Sequence, residues 1–236
     1  MCRKNHVFTV AMIFLIAAIS GVSWSADKYN WKLESTNDGF TTYLSEVPGK
    51  EYIASKCTGV IPAGMDVIAV VLRDIPNYPK WMYNCVATKV LKVVNDKNDD
   101  FIFWLHQHVP LLTDRDMVLK SHVVNNYKRG RSDILARSTD EMNYEGKKGL
   151  VRMPSFFSEF LLEWVDKDHT RVTFMIDPDL GKGLPTGISN SIIKKTPYNS
   201  LEGLAKMAKQ QNYIEEAKTS KYRKMIDDGI KKGYIK

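Results

Sequence analysis

The sequence predicts an α+β protein, an antiparallel sheet followed by one long helix near the carboxy terminus. Three observations carry this. Between residues 86 and 176, segments rich in β-branched and aromatic residues alternate with short Asn/Asp/Gly/Lys turns, and strands joined in this way form an antiparallel meander. After Pro178 the apolar period changes, and Ile188, Ile192, Ile193, Leu201, Leu204 and Ala208 recur at helical spacing. The composition, 44% hydrophobic and 26% charged over 236 residues, suits a globule with a sizeable core and not a disordered or fibrous chain.

Trp31 to Val47 reads as a short helix or turn followed by a strand, and Tyr52 to Ile61 as a strand by its β-branched content. Pro62 and Gly64 end it. Met65 to Leu72 then opens a helix, with Asp66 in the first turn at the positive end of the helix dipole. Arg73 to Asn84 is a helical or turn segment punctuated by two prolines. The meander follows as Val86–Val94, Phe101–Val109, Met117–Asn125, Asp133–Thr139, Gly149–Met153, Phe160–Val165 and Arg171–Ile176, for eight or nine strands in all. Pro185 and Thr186 open the long helix, in which Pro197 introduces a kink or a break. Residues 213–236 are Lys-rich and weakly amphipathic through Tyr213, Ala217, Met225 and Ile226, and read as a helical or frayed basic tail.

The amino terminus has three parts. Arg3 and Lys4 precede a thirteen-residue apolar run, Val7–Ile19, and then a small-residue segment, Ser20–Ala26. This is the pattern of a secretory signal peptide at residues 1–25, cleaved after Ser25. The run falls short of the ~20 residues that span a bilayer. The expected mature domain covers residues 26–212 with the tail behind it, in the periplasm or secreted. Cys57 and Cys85 match no zinc or redox spacing. In an oxidising compartment they can pair, or each can be a small buried hydrophobe.

Charge placement narrows the partners. Residues 1–25 hold two basic and no acidic side chains, and residues 206–236 hold nine basic and four acidic ones, which leaves 23 of each sign in the body. A neutral body argues against a nucleic-acid face. There is no repeat, no phosphate-binding glycine loop and no nucleophile elbow.

Several segments stand in a recognisable order. Arg73-Asp74 lies eight residues before Trp81. Asp114-Arg115-Asp116 leads into a strand, Val151-Arg152 opens a later one, and Asp177-Pro178-Asp179-Leu180-Gly181-Lys182-Gly183-Leu184-Pro185 is followed by Asn190. With Trp31 and Tyr43 bracketing the first strand, this set resembles the START lipid-transfer domain family, here an exported bacterial member, over about residues 30–210. The resemblance implies a helix-grip fold, in which a curved antiparallel sheet wraps a long carboxy-terminal helix around an internal apolar cavity holding one lipid. It also implies a departure. Some sterol-binding members place a carboxylate and an arginine inside the tunnel. This chain offers His106 and Gln107 for the first and Ser121 for the second, so a neutral polar cluster is expected there.

The expected cavity residues are Phe103, Trp104, His106, Gln107, Arg115, Ser121 and Arg152 from the sheet, and Ile193, Thr196, Pro197, Ser200 and Leu204 from the helix. Phe101, Phe103 and Trp104 make their strand apolar on both faces, one expected against the cavity and the other against a helix. His106 and His108 share a face and read as a polar spot in the cavity or on the outer sheet face, with no metal. Asp114–Asp116 reads as an ion-paired joint fixing a loop into a strand, not an acid–base centre.

The resulting expectation is a non-catalytic, monomeric carrier without cofactor. It would hold a sterol, hopanoid, phospholipid or fatty acid, touch membranes transiently, and open at Pro197 and the loop around Gly181–Gly187. The alternatives are a helix-grip enzyme using His106, Arg115 or Asp116, and a lipid sensor.

Overall fold

A computed structural model describes residues 28–181 and 184–236. The expected signal peptide, and part of the expected gate at Gly181–Gly187, lie outside these residues. The elements in chain order are β1 (Lys32–Asn37), β2 (Phe40–Ser45), β3 (Ala54–Ile61), α1 (Met65–Arg73), β4 (Cys85–Asn95), β5 (Asp100–Gln107), β6 (Arg115–Asn126), β7 (Arg131–Ser138), β8 (Val151–Arg152), β9 (Ser155–Asp166), β10 (His169–Asp179), α2 (Thr186–Met207), α3 (Gln211–Thr219) and α4 (Lys221–Lys231), with a 3-10 turn at Ile75–Lys80.

Nine strands form one curved antiparallel sheet in the order β1-β2-β3-β10-β9-β7-β6-β5-β4, and two-residue β8 pairs in parallel with β6. The meander from β4 to β7 follows from the short turns. Asp99 and Gly130 close two of those turns in the left-handed region, at φ 58° each, a conformation that Asp and Gly tolerate. The return of β10 between β3 and β9 closes the two halves of the sheet into one.

Three local expectations are corrected. The segment before Phe40 is a strand, because Asp38-Gly39, both at positive φ, form a two-residue hairpin loop between Asn37 and Phe40. Strand β10 runs past Ile176 through Pro178. Its pairing with β3 ends at Ser55↔Ile176, so the missing Pro178 N–H interrupts no ladder on that side. Residues 213–236 are not a frayed tail. Helices α3 and α4 pack on α1, and Tyr213, Ala217, Tyr222 and Ile226 are buried.

Helix α2 continues through Pro197 without interruption. Thr196 Oγ1 donates to the Ile192 carbonyl at 2.8 Å, one turn back. Farther along, Gly203 lies against the Trp81 carbonyl so closely that any Cβ there would collide with it. The large core lies between the concave face of the sheet, α1 and α2. A smaller apolar cluster, Ile102, Trp104 and Val118, sits on the convex face beneath Met142, Tyr144 and Leu150. The second face of β5 is thus covered by the segment between β7 and β8 and not by a helix.

The candidate ligand cavity

Strand parity decides which side chains meet inside. On β5, Phe101, Phe103, Leu105 and Gln107 point to the concave side. Opposite them on β6 stand Met117, Leu119 and Ser121. Ala136 of β7, Ser158 and Phe160 of β9, and Phe174 and Ile176 of β10 extend this wall, and Ile192, Ile193 and Thr196 of α2 form the facing one. Between them lies a predominantly apolar cavity of about 90 Å³. The walls are stiffened by aromatic packing. Phe160 and Phe174 stack with ring centroids 3.9 Å apart, and Tyr78 meets Phe103 edge-on at 6.3 Å.

Five of the residues expected from the sequence line this space: Phe103, Gln107, Ser121, Ile193 and Thr196. The others are placed elsewhere, for physical reasons that can be named. Trp104 and His106 have even parity on β5 and face the convex side. There Trp104 Nε1 donates to Asp116 Oδ2 at 2.6 Å, and His106 Nε2 meets Asp114 Oδ2 at 2.9 Å. Arg152 is on the same side and clamps Asp116 through Nε at 2.8 Å and Nη2 at 2.9 Å. Arg115 has concave parity, but it is buried at the end of the strand and donates to the Thr113 and Leu180 carbonyls instead of reaching the space. Pro197, Ser200 and Leu204 are buried on α2 beyond the cavity wall, and the Ser200 hydroxyl accepts from the Tyr83 N–H at 3.2 Å.

The Asp114–Asp116 segment is a structural joint. Asp114 gathers both His106 and His108 and accepts from the Val109 N–H at 3.0 Å. Burial alone raises the Asp116 pKa. The Arg152 and Trp104 donors outweigh it and hold the carboxyl below the usual carboxylate range. Among the described residues, no group of three or more His, Cys, Asp and Glu is arranged to hold a metal ion. Cys57 and Cys85 are both free and buried. Cys85 lines the cavity, and burial pushes its thiol up to about 12.

Sequence reasoning missed the two ends and the far wall. Ser158 and Ala136 were legible from alternation on β9 and β7, but their partner strands were not. A charged pair does reach the wall at one end, where Arg73 of α1 pairs with Asp99 of the β4–β5 turn, beside Tyr222 of α4. No sequence signal pointed to Tyr222, which lies far along the chain.

A curved sheet gripping a helix around an apolar hollow defines a helix-grip cavity protein. The START domain family matches residues 23–213, and the chain belongs to that family. It is 28% identical over 203 residues to the uncharacterized protein PA1579 of Pseudomonas aeruginosa, covering 85% of this chain and 97% of that one. Among solved structures, a STAR-related lipid transfer protein from Xanthomonas axonopodis shares the fold with a TM-score of 0.68 at 24% identity, covering 76% of this chain and 99% of that one. Human STARD10 also has a TM-score of 0.68, at 17% identity, covering 79% of this chain and 76% of its own. No helix among the described residues is long and apolar enough to cross a membrane.

Proposed function

We propose that the protein binds a single lipid or sterol-like molecule in the cavity and carries it between membranes without chemical change. The observation behind this is the hollow between the sheet and α2, walled by Phe, Leu, Met and Ile side chains. Each methylene moved from water into such a space contributes about 0.8 kcal/mol, so the hollow makes an insoluble chain soluble. The Xanthomonas axonopodis neighbour is named a lipid transfer protein, which supports the same reading here.

Gln107 and Ser158 are among the hydrogen-bonding groups on largely apolar walls, suited to one hydroxyl or ester of a sterol, hopanoid, phospholipid or fatty acid. Release requires α2 to move, and Pro197 removes one backbone hydrogen bond where it would bend. The carrier is read as a monomer that touches membranes transiently, exported by the signal peptide at residues 1–25 to the periplasm or beyond. The non-catalytic reading rests on the polar residues of the sheet. His106 and Asp116 face away from the hollow, and Arg115 is tied to backbone carbonyls.

The test is purification from the native host followed by native mass spectrometry and lipid extraction. The expected result is one unmodified lipid per protein. Recovery of a chemically altered guest that disappears when His106→Ala is introduced overturns the non-catalytic reading. A protein that is empty and takes up no lipid from vesicles overturns the carrier.

A further inference from the structure

Helix α4 contributes to the cavity although it lies beyond the segment that matches the family, residues 23–213. Its Tyr222 is 5% exposed and forms part of the cavity wall, next to Arg73 and Asp99. Three donors converge on the Asp99 carboxylate. Lys221 Nζ meets Oδ1 at 2.5 Å, Arg73 Nη1 meets the same oxygen, and the Tyr222 hydroxyl donates to Oδ2 at 2.7 Å. Lys221 also caps the turn by donating to the Asp96 and Lys97 carbonyls at 2.9 and 3.0 Å.

The remaining polar groups at this end are engaged within the protein. Ser121 Oγ accepts from the Phe101 N–H at 3.1 Å, and Ser132 Oγ donates to Asn125 Oδ1 at 2.7 Å. A group whose hydrogen bonds are already made has little to offer a guest. The cluster is therefore built to hold two parts of the chain together and not to receive a headgroup. The far end of the segment is tied as well, since Trp164 Nε1 of β9 donates to the Lys236 carbonyl at 2.8 Å. Ile226 lies fully buried between these two attachments.

We infer that α4 is a stopper: pinned through Lys221 and Tyr222 to Asp99, it closes the end of the cavity between α1 and the β4–β5 turn and leaves a one-mouthed pouch. The inference concerns closure alone and holds whichever guest the pouch takes. Local opening of such an element exposes what lies behind it without unfolding the rest.

Ser132 provides the reporter, because it is 4% exposed and lines the cavity at this end. In a Ser132→Cys background, alkylation by N-ethylmaleimide is followed peptide by peptide, with Cys57, fully buried and away from the cavity lining, as the internal control for global unfolding. Adding Asp99→Asn keeps a side chain that tolerates the left-handed turn but removes the charge. It is expected to raise the rate at the introduced thiol about ten- to hundredfold, the scale of one lost charged hydrogen bond, while Cys57 stays slow. Tyr222→Ala, made independently, is expected to do the same. Unchanged rates at the introduced thiol in both variants overturn the inference. So does equal acceleration at both thiols in each, because the contact would then support the whole fold and close no mouth.

Discussion

Trp104 and Asp116 meet across β5 and β6 on the convex face, where the indole N–H donates to the carboxylate 2.6 Å away. Arg152 from β8 grips the same carboxylate with two nitrogens. Asp116 is 2% exposed, so its charge is desolvated and depends on these donors. Asp116→Asn leaves the indole a partner but strips Arg152 of its counter-charge. The expected cost is about 2 kcal/mol, read as a lower urea midpoint. Lipid content per protein should be unchanged, because none of these groups lines the cavity. A fall in lipid content at full stability would place this cluster in the binding site after all.

Acid should weaken the protein through the same kind of contact. Burial raises the pKa of Asp177, but hydrogen bonds from Lys28, Lys50 and Tyr29 outweigh it and hold the group below the usual range, as Arg152 does for Asp116. A depressed folded pKa contributes stability that is complete above the unfolded value, near ~3.9, and lost as pH falls through the folded value. Unfolding midpoints should therefore drop steeply below about pH 4. The double variant Asp116→Asn/Asp177→Asn should flatten that drop; an equally steep fall in it would assign acid sensitivity to other carboxyls.

Glu159 gives the opposite sign. Burial first, and then the neighbouring Asp133, raise its pKa. The folded state prefers the protonated acid, so a penalty grows as pH rises from the unfolded pKa through the folded one. Glu159→Gln should raise the melting temperature by about 2 °C at pH 7 and give no gain near pH 4. Calorimetry at the two pH values decides this.

Gly203 is where α2 touches the Trp81 carbonyl. At an exposed helix position, Gly→Ala stabilises by about 1 kcal/mol. Here the added methyl meets backbone that cannot rotate away, so Gly203→Ala should cost about 2 kcal/mol. A stabilised variant in a chemical melt would mean that α2 has room to slide.

Ala136 sits in the cavity wall between Ser121 and Ser158. Ala136→Phe puts a ring into open space. It should lower co-purified lipid about tenfold or more while leaving the melting temperature unchanged or higher, since filling a void removes its cost. Undiminished lipid would show that the guest lies elsewhere.

The sequence made the meander and the long helix readable, because turn residues and a change of apolar period report local geometry directly. The two faces of β5 were not separable. Phe103 and Trp104 are equally apolar, and only the segment carrying Met142 and Tyr144 makes Trp104's side an outer core. The carboxy-terminal helices looked weakly amphipathic for a related reason. Ser220 breaks them, its hydroxyl accepting from the Arg223 N–H, and the break resets the helical phase between Ala217 and Tyr222. Read as one helix, these buried residues fall on different faces. The ends of the cavity depend on contacts such as Lys221 to Asp99, 122 positions apart, which no local pattern encodes.

The outer cluster of Ile102, Trp104 and Val118 bears on more than local stability. An unfilled hollow invites its surroundings to sag inward, and a single-layer sheet would bend to do so. The strap bound across β5 and β6 doubles the wall behind Phe103 and Leu105 and braces it from outside. A wall held from both sides has less freedom to collapse into the space it encloses.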